Sequence, residues 1–499
     1  MLKITKKLFL SFYKNEIKYC HWKSNEHLKE GLIGKTDLDL LVDCKDKKKC
    51  EENLLKVGFL KFNPQKGSKY KNVEEWIGLD SESGNLIHVH LHYNMITGYK
   101  HIKEYKLPWD NYVLNNRVED KETGVFKASP NIEIVILYTR IALKSHEKQI
   151  SYIKKEYIKE INYLKSFIND NKVKQACNFM FNKESEVIYG LIKKQTLNKT
   201  DLKKLRKSVV VNLANVRQGN KLYSLVKYMY YKLLTKSKIK LNKINNSQFI
   251  VRKTPINNKG FSICFIGSDG AGKSTVMNDI NKWFLWKIDS KKFYLGSGEQ
   301  YKSTFKYAEK FYKKFLYKRN NNIKKEEKKE QSKTKNSHNT SKKEKVKAII
   351  FSYELLRISK YKLRTIKKIK KYINNGGIAI LDRIPQNQYE GIYDGPKINE
   401  KYGDIDSKII KFLSIKEKKY LNKAIKYEPS VIFKLLLPPE ESLKRKPEHN
   451  LKDIKIKSKI TENLSFKASS IYKIDAMQQY EKELLEVKKI IWEEMINQL

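Results

Sequence analysis

Arginine is the residue this chain is short of: ten of its 104 basic residues are Arg, and the rest are Lys. The planar guanidinium fork is therefore available at few places, and an Arg beside a motif marks a position where Lys would not serve. Cysteine is scarce too. Five Cys, an odd number with no C-x-x-C pair, argue against a disulfide framework and predict reduced thiols in a cytoplasmic protein. No apolar run approaches the ~18–20 residues of a membrane-spanning helix. The stretch Lys3–Phe12 is basic and then apolar, but Lys14 and Glu16 cut it short and no small-residue cleavage site follows. It predicts a first helix rather than a signal peptide.

What the chain has in excess is positive charge, +49 over 499 residues, beside a hydrophobic content of 40% that is enough for real cores. Length alone predicts two to four domains. The Lys excess runs along almost the whole chain instead of gathering in one stripe, so it signals a general compositional bias more than a nucleic-acid groove. Nucleic acid stays open as a partner but is not favoured. The basic surface suits anionic small molecules, nucleotides or lipid headgroups, and the sequence leaves the oligomeric state open.

Residues 1–125 mix short strands and turns, including Thr36–Asp43, Asn85–Tyr93 and a hairpin at Asp80–Gly84. From Ser129-Pro130 the spacing becomes helical, with Ile132, Val135, Ile136, Thr139 and Leu143 on one face. More helices are expected through 151–169, 184–195, 200–215 and 221–236, giving a helical domain over 126–243. The helix from 221 combines aromatics with Lys, and packing against its own domain is favoured over contact with a membrane surface. Residues 244–260, with Asn pairs, a Pro and a Gly, read as a linker. From 261 to 499, short apolar runs alternate with amphipathic helices, the pattern of a parallel α/β sheet. Inside that block, residues 318–347 offer almost nothing apolar and predict a disordered insertion, with a continuous charged helix as the rival.

The chemistry concentrates in the C-terminal block. Phe261-Ser-Ile-Cys-Phe-Ile266 is a compact apolar strand that runs into Gly267-Ser-Asp-Gly-Ala-Gly-Lys-Ser-Thr275, and a helix follows with Val276, Ile280 and Phe284 on one face. This is the strand–loop–helix setting a phosphate-binding loop requires. The glycines Gly267, Gly270 and Gly272, with Ser268, Asp269 and Ala271 between them, let backbone N–H groups turn toward phosphate oxygens at the start of a helix. Lys273 would reach the β- and γ-phosphates of ATP, and the Ser274 hydroxyl, followed by Thr275, would ligate Mg²⁺. A second motif, Ile378-Ala-Ile-Leu-Asp-Arg383, is an apolar strand ending in Asp382, an acid able to hold the Mg²⁺ hydration shell. Arg383, one of the rare arginines, could clamp an acceptor phosphate. Val431–Leu437 and Ile471–Ala476 predict two further strands.

Taken together, the GSDGAGKST loop, Asp382-Arg383, Leu443-Lys-Arg-Lys446 and the final Ile-Asp-Ala resemble thymidylate kinase over about 240 residues. The resemblance implies a five-stranded parallel sheet, a mobile lid, and ATP with Mg²⁺ as cofactors. In that family an Arg missing from the loop is supplied by the lid. Ala271 stands where that Arg would be, which makes Arg445, with Lys444 and Lys446, the lid candidate. Asp269 matches the loop acid that touches the acceptor sugar. The departures are as informative. Leu295-Gly-Ser-Gly-Glu299 replaces the family's Glu-Pro-Gly segment, and Ile384-Pro-Gln-Asn-Gln-Tyr-Glu-Gly391 replaces its Tyr-Gln region. Thymidine selectivity is therefore not expected.

At the other end, Asp37 and Asp39 lie two residues apart on an expected strand, which puts both carboxylates on one face where they could share divalent metal. With twelve residues separating Ser24 from Asp37, the arrangement is similar to the nucleotidyltransferase superfamily, although Lys23 stands where its turn has Gly. In place of a third acid, Leu86–Tyr93 carries His88, His90 and His92 on one face; ordinary hydrogen-bonded histidines are the favoured reading there. The expectation is an α/β protein: a nucleotidyltransferase-like α+β domain (1–125), a helical domain, and an ATP-dependent kinase-like domain (261–499) acting on a nucleotide or other small acceptor. A P-loop ATPase switch, an RNA- or nucleotide-modifying nucleotidyltransferase, and a kinase on a sugar or glycan intermediate of surface polysaccharide synthesis remain as alternatives.

Overall fold

The computed structural model describes all residues except 65–68, 145–154, 246–252, 256–259, 297–341, 468–469 and 499. It divides into two compact units: Met1–Asn257 with Lys287–Asp289 and Ile496–Leu499, and Asn258–Trp286 with Ser290–Met495.

The first unit is built on a mixed sheet. Its strands are β1 (Tyr19–His21), β2 (Leu38–Val42), β3 (Phe59–Asn63), β4 (Val73–Leu79) and β5 (Leu86–His92), with the shorter β8 (Val118–Glu119), β9 (Phe126–Lys127) and β10 (Thr254–Pro255); β6 (Ile96–Thr97) and β7 (Tyr105–Lys106) pair separately. The order is β10-β3-β4-β5-β2-β1-β9-β8. The expected hairpin joins β4 to β5: Gly84 takes φ +70°, and its N–H donates to the Asp80 carbonyl at 2.8 Å. Alternation along the strands sorts the side chains. Leu38, Leu40, Val42, Ile87, Val89 and Leu91 pack on one face with α1 (Lys3–Lys14) and α2 (Lys47–Val57). Asp39, His88, His90 and His92 must therefore point to the other face.

Residues 126–243, expected as a helical domain of their own, share a core with the strands. Helices α3 (Pro130–Lys144), α4 (Lys155–Lys165), α5 (Asp170–Phe181), α6 (Ser185–Lys193) and α7 (Lys199–Asn212) enclose Cys20, Trp22, Leu41 and Met95 in one apolar cluster. The continuous apolar face of α3 has to be covered on both sides, and the sheet covers one of them. α8 (Lys221–Asn245) meets its own unit, as expected, through buried Ser224, Tyr228 (ring 5.7 Å from Tyr99) and Tyr231 (ring 5.8 Å from His101). Leu222, Tyr223, Val226, Met229, Tyr230 and Leu233 along the same helix are exposed. The expected linker also differs: Thr254 and Pro255 pair with Asn63 and Phe62 at the edge of the sheet, where a missing N–H is tolerated.

The second unit is a parallel sheet of β11 (Phe261–Gly267), β12 (Ser290–Tyr294), β13 (Ile378–Asp382), β14 (Val431–Leu436) and β15 (Ser470–Asp475), in the order β12-β13-β11-β14-β15. The central strands β11, β13 and β14 read as near-continuous apolar runs because helices cover both faces of the sheet, whereas the edge strands β12 and β15 are more polar and only partly buried. The helices are α9 (Lys273–Leu285), α10 (Lys342–Asn374), α11 (Lys408–Ala424), α12 (Pro439–Arg445), α13 (Leu451–Asn463) and α14 (Tyr480–Gln498). The expected disordered insertion at 318–347 lies outside the described residues up to 341. Its last six residues, 342–347, are instead the first turns of α10, where Ala348 begins the buried face. No described helix is long and apolar enough to cross a membrane.

Candidate active site

The loops that follow parallel strands all emerge at one end of the sheet, and the adjacency of β11 and β13 brings theirs side by side. Phe265 of β11 is in register with Asp382 of β13, so the phosphate loop and the Asp382-Arg383 pair emerge together. Gly270 and Gly272 take φ +90° and +79°, left-handed values that let the loop curl onto the first turn of α9. Lys273 is 8% exposed and its ammonium folds back, donating to the carbonyls of Gly267 (2.9 Å) and Ser268 (2.7 Å). Burial and the nearby Arg383 lower its pKa to about 8. Ser274 and Thr275 are exposed at the head of the helix.

Asp269 is the hub. Its Oδ1 accepts from Arg383 Nη2 (3.2 Å) and its Oδ2 from Lys457 Nζ of α13 (2.6 Å). Burial opposes the charge, yet the Lys457 hydrogen bond and the two cations outweigh it and hold the carboxyl at about 2. Arg383 lies 3.8 Å from Asp394, which accepts from Lys362 of α10 at 2.6 Å with both side chains almost fully buried. Lys457, Asp269, Arg383, Asp394 and Lys362 thus form a chain of alternating charge from two helices and two loops.

The segment after Arg383 shapes a cavity. Arg383, Tyr393 and Asp394 all have positive φ (67°, 53° and 68°), a concentration of strained backbone that surrounding bonds must hold in place. Gln386 provides several of them: its buried amide donates to the carbonyls of Tyr389 and Ile392, both at 2.8 Å, and accepts from the Tyr389 N–H. The Tyr393 hydroxyl donates to the Gly267 carbonyl and accepts from Thr461 at 2.6 Å, tying this segment to the phosphate loop and to α13. The result is a cavity of about 530 Å³ whose lining includes Arg383, Lys397, Lys401 and Lys457 beside Asp394 and Asp453. Burial, then Lys362, lowers Lys397 to about 8.

Arg445 ends α12, which packs on the loop. The Ser268 and Ser442 hydroxyls are 3.1 Å apart, and a Cβ on Gly270 would lie 3.7 Å from that of Arg445. The Arg445 Nη2 donates to the Ala476 carbonyl at 3.2 Å, so this side chain bridges the phosphate loop side and the segment after β15. Leu295 hydrogen-bonds the Asp382 carbonyl at 3.0 Å; Glu299 lies outside the described residues. Lys362, Lys457, Tyr393 and Thr461 were not signalled by the sequence. Among 94 Lys, nothing local distinguishes the two that meet buried carboxylates.

In the first unit, Asp37 and Asp39 meet the histidines directly. β2 runs parallel to β5 with Asp39 beside His90, and β4 runs antiparallel with Glu75 opposite His90. Glu75 is a third carboxylate that the sequence reading missed, because Glu74-Glu75 looks like a solvated pair. His88 bridges Asp37 (2.7 Å) and Glu75 (2.6 Å), and His90 bridges Asp39 and Glu75, both at 3.2 Å. His92 Nε2 lies 3.4 Å from Asp39 Oδ1. Lys23 pairs with Asp39 (2.8 Å) and Lys287, which belongs to this unit, with Asp37 (2.5 Å). Burial pushes both aspartates up, but these cations and imidazoles hold them below the usual carboxylate range. His90 is pushed up to about 9: burial lowers it, and Glu75 and Asp39 more than reverse that. A nitrogen-rich, lysine-paired setting of this kind does not fit a pair of Mg²⁺ ions, which favour oxygen and water.

No protein-family profile matches the chain. Over 232 residues it is 25% identical to YghR of Escherichia coli K12, an uncharacterized ATP-binding protein; the match covers 46% of this chain and 86% of YghR. YghS of the same strain, also an uncharacterized ATP-binding protein, is 23% identical over 231 residues, 45% of this chain and 88% of its own. Among solved structures, deoxyadenosine kinase from M. mycoides with bound dATP aligns at 15% identity over 46% of this chain and 98% of its own, with a TM-score of 0.26, too low to carry an argument.

Proposed function

We propose that the second unit is an ATP-dependent phosphotransferase that acts on a small anionic acceptor. The observation that carries this reading is the junction of loop and cavity: Arg383 and Lys457 line the cavity, and both grip Asp269 of the phosphate loop. A hydrolytic switch has no use for a built acceptor cavity next to its phosphate loop. The ATP-binding description of YghR and YghS supports the nucleotide half of the proposal.

ATP would lay its phosphates on the N–H groups from Gly270 to Ser274, and Lys273 would leave the Gly267 and Ser268 carbonyls for phosphate oxygens. The exposed Ser274 hydroxyl and the Asp382 carboxylate are oxygen donors of the kind Mg²⁺ takes, and the ion would supply charge neutralisation at the phosphates. The acceptor would enter the 530 Å³ cavity with its anionic group toward Arg383, Lys397 and Lys401. Arg445, at the end of the helix that packs on the loop, would add a second guanidinium. Catalysis would come from positioning and charge, with no covalent intermediate on the protein. Thymidylate is not expected to be a preferred acceptor.

Incubation with γ-labelled ATP and separate panels of nucleoside monophosphates, sugar phosphates and unphosphorylated analogues tests the proposal. Label appearing on one acceptor class supports it. Release of inorganic phosphate alone, unchanged by every panel, would leave the switch reading in its place. The resemblance of the first unit to nucleotidyltransferases stays a proposal about ancestry of its fold, and no transfer step is derived from it.

A further inference from the structure

We propose that Asp39, His90 and His92 of the first unit form a binding site for one divalent transition metal ion of the zinc class. The site is separate from the ATP chemistry proposed above and does not depend on it.

Three observations carry the inference. The first is geometric. One donor atom from each of the three residues lies within 4.8 Å of the others. The two separations from Asp39 Oδ1, 3.2 Å to His90 Nδ1 and 3.4 Å to His92 Nε2, match the ~3.3–3.4 Å edge of a tetrahedron whose metal–ligand bonds are ~2.0–2.1 Å. The second is the state of His92. Its ring is 3% exposed, it stands edge-on to Trp22, and neither ring nitrogen makes a hydrogen bond. A buried imidazole whose nitrogens make no hydrogen bond is costly unless something else occupies its lone pair. The third is what stands behind His90. Its other nitrogen lies 3.2 Å from Glu75 Oε1, so the Nε2 N–H faces a carboxylate acceptor while Nδ1 faces Asp39. Carboxylate–histidine–metal relays use this arrangement to orient a ligand and raise its basicity.

The donor set selects the metal. Two imidazoles and one carboxylate suit Zn²⁺ and its first-row neighbours, whereas Mg²⁺ and Ca²⁺ favour oxygen. Three protein ligands leave a fourth position for water or a substrate atom. Lys23 is the competitor: its ammonium sits 2.8 Å from the same Asp39 oxygen and over the Trp22 ring, and it must swing away as the ion enters. Binding exchanges the His90 Nδ1 proton for the ion. Asp37 is not a ligand, because His88 and Lys287 already occupy it.

The test uses the full-length protein freed of metal by chelation. Zn²⁺ is titrated in competition with a chromophoric chelator, and Co²⁺ is added separately to read its visible d–d bands. The expected result is one tight ion per chain, intense four-coordinate Co²⁺ bands, and no displacement by a large excess of Mg²⁺. His92→Gln and His90→Gln should each weaken Zn²⁺ by at least tenfold and remove the bands. Asp37→Asn should leave both unchanged, and Lys23→Ala should tighten binding. Circular dichroism checks each variant, and the two histidine variants guard against one of them misfolding. Absence of a tight ion in the wild type overturns the proposal. So does Zn²⁺ binding that survives both histidine substitutions, or an ion that follows Asp37 instead.

Discussion

Asp269 and Arg383 lie 114 residues apart in the chain and meet through a hydrogen bond of 3.2 Å between carboxylate and guanidinium. That bond joins the phosphate loop to the cavity beside it. It also ties one of only ten arginines to the loop acid. The position demands a fork, because the same guanidinium must reach Asp269, approach Asp394 and still face the cavity.

Arg383→Lys should therefore lower kcat/KM for the acceptor by about 10²-fold, the scale of losing one preorganised donor, while ATP affinity changes little. Steady-state kinetics with each substrate varied in turn make the check. An equal loss in ATP affinity would place Arg383 on the nucleotide instead.

Lys273→Ala should abolish phosphoryl transfer and leave the fold intact. It should also change how stability depends on pH. Burial lowers the folded pKa of Lys273 from 10.5 to about 8, so between those values the unfolded chain holds a proton the folded one has lost. Stability contributed by this group must then rise as pH increases through that window. Thermal unfolding of the ATP-free protein from pH 7 to 10.5 should show a flatter profile in the variant than in the wild type.

Lys362 and Asp394 form an almost fully buried pair, and removing either one takes a close opposite charge from the other. Lys362→Met or Asp394→Asn alone should cost about 3–5 kcal/mol, and the double variant less than the two singles combined. Denaturant unfolding of all four proteins measures the cycle. Additive losses would show that the two side chains act independently.

Gly395→Ala tests the strained segment. A Cβ there would sit 2.2 Å from the Tyr389 carbonyl and 2.7 Å from the Gln386 amide nitrogen, so the bracing of the cavity wall must shift. The acceptor KM should rise several-fold with little change in the KM for ATP, read from the same assays.

Much of the second unit was legible because its information is local. An apolar run ending in GSDGAGKST can hardly avoid becoming a buried parallel strand, a turn with positive φ and a helix. The apolar strand before Asp382-Arg383 declared itself for the same reason. Period-two alternation likewise puts Asp37 with Asp39 on one face of their strand, and the three histidines on one face of theirs. Tertiary structure decided the rest. Which Lys among 94 would meet Asp269 or Asp394 depends on how α10 and α13 pack, and nothing within the Lys-rich sequences of those helices encodes it. Glu75 became a partner of His88 and His90 only through the register of β4 on β5. The sequence by itself determined which short segments carry chemistry, since backbone turns and strand faces follow from neighbouring residues. Which charges those segments meet was left to long-range packing, because a pairing across a sheet or between helices depends on residues distant in the chain.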